Sequence, residues 1–486
     1  MAPTNSHHKL QNRVIPKFKL ILFLSECVFV FLVLSFGYIY LDVMPDYSHN
    51  YPKPKMSHTV EDIRYFERFL LSEHDPLDLS FPISLDNTDL HVNPKHVGSK
   101  DLCPNRTKSL HCPSNKKDRC VKISVVGLCS RWATVLRKLP VKISCPAFEK
   151  TDIFLDHVGK VEAIKEAHVV LFSFVAKYLD MNVWLKLRFY RSPGQMWVFQ
   201  TEESPVYARG FMMPWFFRND TYNISNTYHT SADIPSPYGY YEPFRNENLN
   251  PVVNFTQLLK DKTNLIIWIC SHCETLQWDR TKFVLDLQRV INVDTFGKCG
   301  NFSVCGGTWK KTCKNEIDKR VSTYKFSLAF ENSCCEDYLT EKLWHALVIG
   351  TVPIVIGPRF ENYNKVAPPG SFIHVDQFNS MVHLRDYLEY LDKNDTAYLE
   401  YFKWKSLGTV REHSIKEHYQ NHLSNDVICS IADQYFQRRS SPNELKMFDL
   451  YGPEWKGTCH HCGKHMWIRN YEHSPDYRRK SKNIWD

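Results

Sequence analysis

The chain has 486 residues, of which 43% are hydrophobic and 14% aromatic, enough for two or three packed domains and too apolar for a disordered polypeptide. Its net charge of +8 is spread along the sequence, with one basic cluster at Arg478, Arg479, Lys480 and Lys482. A nucleic-acid binder concentrates its basic residues on a recognisable module; none is visible, so the cluster reads as a solvated tail and no nucleic acid is expected as a partner.

In chain order, residues 20–41, LILFLSECVFVFLVLSFGYIYL, are apolar and long enough to cross a bilayer as one helix, with Glu26 the single charge inside. Lys9, Arg13, Lys17 and Lys19 precede this run and Asp42 and Asp46 follow it, which predicts a cytoplasmic tail at 1–19 and a signal anchor with the rest lumenal. Ser35 and Gly37 would also suit a cleaved signal peptide, but the apolar run exceeds the ~7 to 15 residues of such a segment.

A lumenal body agrees with two further patterns. The Asn-x-Ser/Thr sequons at Asn105, Asn219, Asn223, Asn254, Asn301 and Asn394 all follow the apolar run, and so do fifteen of the sixteen cysteines. Fifteen is odd, so at least one thiol is free or pairs with another chain. The pairs Cys270/Cys273 and Cys459/Cys462 also have zinc-ligand spacing, the second with His460, His461 and His465 beside it; an oxidising compartment favours disulfides for both.

Residues 42–118 lack periodicity apart from a short helical stretch at 60–71, and read as a stem. Strands are expected at VKISVVG from Val121, AHVVLFSF (167–174) and QMWVFQ (195–200), with a helix-like spacer at 160–167; this defines a first lobe at 119–258. A second lobe at 259–440 is clearer. NLIIWIC (264–270) reads as a buried strand, 279–291 as a helix, INVDTFG (291–297) as a strand and 314–324 as a helix. KFSLAFE then leads into a helix expected from Tyr338, the strand TVPIVIG, the stretch SFIHVDQF, and a helix with Met381, Leu384, Leu388 and Leu391 on one face. A Cys- and His-containing tail occupies 441–486. The alternation in both lobes is that of paired doubly wound α/β domains with a cleft between them.

Ligands of open α/β sheets bind beyond the carboxyl ends of the strands, where helix N-termini present unpaired N–H groups. KFSLAFE ends at Glu331, so the turn 332–337 and the helix start with Glu341 and Lys342 fall at that edge. Phosphate suits Lys342, and sugar hydroxyls suit Glu341. A solvated first helical turn explains the same two residues equally well.

The motifs are more specific. FENSCCEDYLTEKLWHALVIGTVPIVIGP resembles the donor signature of the α1,3-fucosyltransferases, in which FENS, DYxTEKxW and GxVPVxxG follow in order. RSPGQMWVFQTEESP (191–205) is similar to the family's RPxGQxWVxxxxESP, and ADIPSPYG (232–239) to its DSDIxxPYG; with VDTFG (293–297), the similarity covers about residues 140–435. The resemblance implies two Rossmann-like lobes facing a cleft (GT-B type) and an inverting Golgi transferase. The C-terminal lobe would take GDP-β-L-fucose, and the N-terminal lobe an acceptor glycan carrying N-acetylglucosamine. Inversion requires a base for the acceptor hydroxyl, and the ESP motif assigns it to Glu203, with Glu202 as the competitor. Neighbouring residues of an extended segment point to opposite sides, so one of the two should face the cleft. Lys342 and, in a looser match, Arg280 would stabilise departing GDP, while Asn332 and Tyr338 would help seat nucleotide and fucose.

No Asp-x-Asp pair occurs in the chain, so a divalent cation is allowed but not required. Two departures from the family pattern stand out. Ser173 and Phe174 replace paired histidines found in many members, which bears on the acceptor. Cys429 keeps only the first cysteine of the C-terminal CxxC, leaving Cys459 and Cys462 for a different bridge. Competing expectations are a membrane-tethered glycan-binding protein without turnover and a transferase for another nucleotide sugar. A homodimer is left open.

Overall fold

Strand β1, Cys120–Val126 (CVKISVV), is buried at every residue, as expected for a β-branched run in a parallel sheet covered on both faces. The computed structural model describes residues 110–472 apart from 114, 116–118, 127–138, 174–178, 180, 209–221, 246–254, 274–276, 304–310, 414–423 and 440–446. The apolar run 20–41, the stem up to 109 and the basic cluster at 478–482 lie outside the described residues.

Among the described residues the first sheet has the order β2-β3-β1-β4-β5-β6-β7. Its strands are β1, β2 (Val141–Ile143), β3 (Asp152–His157), β4 (Val169–Phe172), β5 (Met196–Thr201), β6 (Ile224–Thr227) and β7 (Ile234–Pro235). All pair in parallel except the edge strand β2. The period of two divides each strand between two cores. Val121, Ile123, Val169, Leu171 and Val198 pack on one face, and Val170, Phe172, Trp197 and Phe199 on the other.

The helix Asn425–Arg438 covers the first of these faces. Its buried residues Ile428, Ile431, Ala432 and Tyr435 follow i, i+3, i+4, i+7 spacing. The Cys145–Cys429 disulfide ties it there. This helix lies in the span 259–440 expected for the second lobe and returns to pack on the first sheet.

The second sheet, order β10-β9-β11-β12-β13, is parallel throughout: β9 (Asn264–Ile269), β10 (Asp294–Phe296), β11 (Tyr324–Phe330), β12 (Val352–Ile356) and β13 (Ile373–His374). Helix Arg280–Leu287 buries Phe283, Val284 and Leu287 and is capped by Asp279, whose carboxylate accepts from the Lys282 N–H at 2.8 Å. Helix Met381–Lys393 buries Leu384, Leu388 and Leu391, with Met381 at the margin, as its periodicity predicts. The spacer at 160–167 is a 3₁₀ helix, Val161–Glu166, and the helix expected at 314–324 is Lys311–Ser322, Tyr324 already belonging to β11.

Strand β8 (Gly239–Pro243) pairs antiparallel with β14 (Gly408–Glu412), bringing the chain after each lobe into one ribbon. Gly239 closes the PYG motif because a Cβ there would come within 2.6 Å of Trp344 and 2.7 Å of the Arg411 carbonyl oxygen.

The disulfides among the described residues are Cys112–Cys120, Cys145–Cys429, Cys273–Cys299, Cys334–Cys462 and Cys335–Cys459, so of the two zinc-spaced pairs Cys273, Cys459 and Cys462 are bridged, each to a distant cysteine, and the expectation of a disulfide at Cys270 is corrected. Cys270 is a free, buried thiol. Of the sequons, Asn223 is corrected: it is 2% exposed, and its amide oxygen accepts from the Trp197 N–H at 2.9 Å and from Arg191 at 2.8 Å, leaving no room for a glycan. Asn301 is exposed, and Asn394 caps the helix Asp395–Leu399 at the surface. Asn105, Asn219 and Asn254 lie outside the described residues.

Candidate active site

Strand β11 ends in the apolar run Leu328, Ala329 and Phe330, and the next residue, Glu331, is fully buried. Such a carboxylate must be satisfied locally. Its Oε1 accepts from the Thr340 N–H at 2.8 Å, and its Oε2 from the Thr340 hydroxyl at 2.8 Å and from Lys342 Nζ at 3.2 Å. The helix Glu341–Ile349 thus starts later than the expected Tyr338, because Thr340, its extended N-cap residue, is bonded to Glu331. Lys342 Nζ also donates to Thr340 Oγ1 at 2.6 Å and Glu341 Oε1 at 3.1 Å.

Burial alone would lower the Lys342 ammonium, but Glu331 and Glu341 override it and its pKa is raised. Burial would raise Glu341, but Lys342 overrides it and this carboxyl is held low. Glu331 moves the other way, raised because its burial outweighs Lys342. The strand edge therefore holds a charged lysine between two carboxyls of unequal acidity. Arg280 is buried and donates to the main-chain oxygens of Phe330 at 3.2 Å and His272 at 3.0 Å. Its charge is felt at Lys342, so the two cations share the strand edge.

In the other lobe, β5 ends at Thr201 and delivers Glu202, Glu203 and Ser204 to its own carboxyl edge. Glu202 is buried; burial first, then the charges of Glu203 and Glu341, push its carboxyl well above the ordinary range. Glu203 is only half-buried, and its Oε2 accepts from the Tyr338 hydroxyl at 2.9 Å. Beside that contact the Ser204 hydroxyl donates to Ser333 Oγ at 2.7 Å, and Ser333 donates to Asn332 Oδ1 at 2.9 Å. The ESP turn of one lobe and the ENS and DYxTEK turns of the other meet through these bonds.

Three tyrosines line the junction. Tyr338 packs against Tyr228 (ring centroids 4.9 Å) and Tyr238 (6.3 Å), and Tyr238 donates to the Glu202 carbonyl oxygen at 3.1 Å. Asp337 adopts φ 59°, an uncommon backbone for a residue with a Cβ, and accepts from the Thr230 N–H at 3.1 Å, from the Thr230 hydroxyl and from Asn362 Nδ2 at 3.0 Å. Glu203, Asn332, Tyr338, Glu341, Lys342 and Arg280 are thus brought together, although Arg280 is spent on main-chain carbonyls. Glu331, Asp337, Ser333 and Tyr238 were not singled out from sequence. A glutamate directly after the apolar run Leu328, Ala329 and Phe330 is the signal that marks the first of them. Among the described residues no group of three or more His, Cys, Asp or Glu could hold a metal ion.

Two α/β lobes whose strand ends face one another, one bringing carboxylates and the other a lysine and an arginine, define the class of doubly wound proteins that bind ligands beyond the carboxyl ends of their strands. The chain belongs to glycosyltransferase family 10 (fucosyltransferase): the family's C-terminal domain model matches residues 259–449 and its N-terminal domain model residues 144–239. Human alpha-(1,3)-fucosyltransferase 4 is 38% identical over 216 residues, covering 44% of this chain and 38% of that relative. Human 4-galactosyl-N-acetylglucosaminide 3-alpha-L-fucosyltransferase FUT5 is 36% identical over 225 residues, covering 46% of this chain and 55% of that relative. The chain thus spans about half or less of the length of these curated relatives. A crystal structure of an α1,3-fucosyltransferase with GDP-fucose aligns with 70% of this chain and 96% of that one, at 19% identity and a TM-score of 0.40.

Proposed function

We propose that this protein is an inverting α1,3-fucosyltransferase that moves L-fucose from GDP-β-L-fucose to N-acetylglucosamine of glycoprotein or glycolipid glycans. The observation that carries this reading is the Glu203–Tyr338 hydrogen bond, which brings the half-buried carboxylate of one lobe to the turn that leads into Lys342 in the other. Glu203 takes the proton of the acceptor hydroxyl as that oxygen attacks the fucose anomeric carbon. GDP leaves from the opposite face, and Lys342, kept protonated by its two carboxylates, stabilises the charge that develops on the diphosphate. Glu341 and Asn332 hold hydroxyls of the donor. Arg280 contributes its charge from behind while its hydrogen bonds fix the ends of β9 and β11.

The apolar run at 20–41 would anchor the chain as a single-pass type II protein of the Golgi membrane, with the lobes in the lumen. The Ser173/Phe174 departure favours the innermost N-acetylglucosamine of an N-glycan over an outer-arm N-acetyllactosamine unit as acceptor.

The test uses the purified lumenal part. GDP, and not UDP, is expected to raise its melting temperature. Incubation with GDP-fucose and mixed N-glycan acceptors should yield a product whose linkage, read by mass spectrometry, is fucose α1,3 to N-acetylglucosamine. Stabilisation by UDP alone would overturn the donor assignment, and glycan binding without transfer would make the protein a binding module.

A further inference from the structure

The Cys459/Cys462 motif lies beyond the end of the family match at residue 449, yet it reaches the donor turn directly. Asn332, Asp337 and Tyr338 lie in the ten residues, 331–340, that no sheet ladder supports between β11 and the following helix, whose first two residues are Glu341 and Lys342. The tail supplies the missing partner. Cys335 and Cys459 face each other as an antiparallel bridge, the His460 N–H donates to the Cys334 carbonyl oxygen at 2.8 Å, and the Glu336 N–H donates to the Thr458 carbonyl oxygen at 3.0 Å. Gln277 closes the same junction, its side chain accepting from the Cys334 N–H at 2.8 Å and donating to the His460 carbonyl oxygen. Cys334–Cys462 and Cys335–Cys459 then make the pairing covalent at two successive residues, both fully buried on the turn side.

The tail is itself fixed on either side of this staple. Upstream, the Phe448 N–H donates to the Tyr222 carbonyl oxygen at 2.8 Å, and Trp455 packs on Phe199 and Tyr228 of the first lobe. Downstream, Trp467 Nε1 donates to the Phe378 carbonyl oxygen at 3.0 Å, and the Tyr471 hydroxyl to Asp286 at 2.9 Å. A strap held at both ends, and bonded twice to a turn that would otherwise be irregular, restricts where that turn can place its side chains.

Resting on the donor assignment above, we infer that residues 447–472 are a positioning element of the donor site, and that Cys459 and Cys462 set its affinity for the nucleoside diphosphate by holding turn 332–340 in its binding conformation. A displacement of about 1 Å in such a turn is enough to cost one or two powers of ten in binding or rate.

The experiment measures GDP affinity by titration calorimetry, and the KM for GDP-fucose and for acceptor, on the folded lumenal part. Cys335→Ser combined with Cys459→Ser is expected to raise the GDP Kd and the donor KM by about tenfold while leaving the acceptor KM unchanged. Gln277→Leu keeps both disulfides, removes two hydrogen bonds, and should raise the GDP Kd by about threefold; it carries the test if the cysteine variant does not fold. The Cys112→Ser, Cys120→Ser pair removes a disulfide remote from the turn and should leave the GDP Kd as in the wild type. Wild-type GDP affinity in every folded variant, with losses confined to melting temperature, would overturn the inference. A wild-type protein that ignores GDP would instead overturn the donor assignment.

Discussion

Glu202 and Glu203 are neighbours in sequence and differ in everything that matters to a base. In the bend that follows β5, Glu202 turns into the protein, where burial and then the charges of Glu203 and Glu341 push its carboxyl well above the ordinary range. Glu203 stays half-buried on the Tyr338 hydroxyl. Glu203→Gln is expected to lower kcat by about 10² or more, and Glu202→Gln to keep most of it, in a steady-state assay at saturating donor. The reverse order would make Glu202 the base. The two variants also differ in pH dependence. The folded state holds the Glu202 proton above the unfolded value of 4.5, so stability contributed by this group is present below that value and is lost as pH rises towards the folded pKa. Melting curves of Glu202→Gln should therefore gain on the wild type as pH increases through that window.

At the scale of elements, the proposed donor site depends on how strand ends are spaced. Glu331 at the end of β11 can serve Thr340 and Lys342 only because β12 ends beside it in a glycine. A Cβ on Gly357 would come within 2.8 Å of Glu331 Cγ and 2.9 Å of the Tyr363 hydroxyl. Both neighbours are buried and have little room to yield. Gly357→Ala is expected to destabilise the protein by about 1–3 kcal/mol in denaturant unfolding and to weaken GDP binding as well, because the displaced carboxylate loosens Lys342. Loss of stability with unchanged GDP affinity would detach Glu331 from the donor site.

For the whole molecule, the chain crosses between the lobes more than once. It leaves the second sheet to place the helix Asn425–Arg438 on the first, then runs back along residues 447–472 to the donor turn. Cys145–Cys429 closes a loop of sequence separation 284, far longer than any other disulfide among the described residues. Replacing both cysteines by serine should cost about 2–5 kcal/mol in an unfolding titration. Because neither residue reaches the donor turn, GDP affinity should stay as in the wild type, in contrast to the tail cysteines. A fall in affinity would mean that the first-lobe helix also shapes the donor site.

Much of this architecture was legible in the sequence, because strands buried on both faces and helices with one apolar stripe are local patterns. QMWVFQ, NLIIWIC and TVPIVIG are strands, and Leu384, Leu388 and Leu391 face the core as their spacing predicts. The ESP and TEK motifs single out Glu203 and Lys342, which the structure places just beyond β5 and in the first turn of the helix after β11. Short strands such as β2, β6 and β7 carry too few residues for a period to show, and β8 and β14 are paired by contacts more than 160 residues apart. Burial removed Asn223 from the glycosylation candidates and separated Glu202 from Glu203, and neither effect is a property of nearby residues. Pairing of Cys334 and Cys335 with Cys462 and Cys459 was equally beyond reach, since spacing says which cysteines can bond and only the fold says which ones meet. The sequence by itself determined the two α/β lobes, the family and the pair of motifs that face the cleft, because each is written within a few consecutive residues. The tertiary structure alone decided which carboxylate stays half-buried, what holds Lys342 and where the tail is bonded to the turn 332–340, because those follow from burial and from contacts between distant segments.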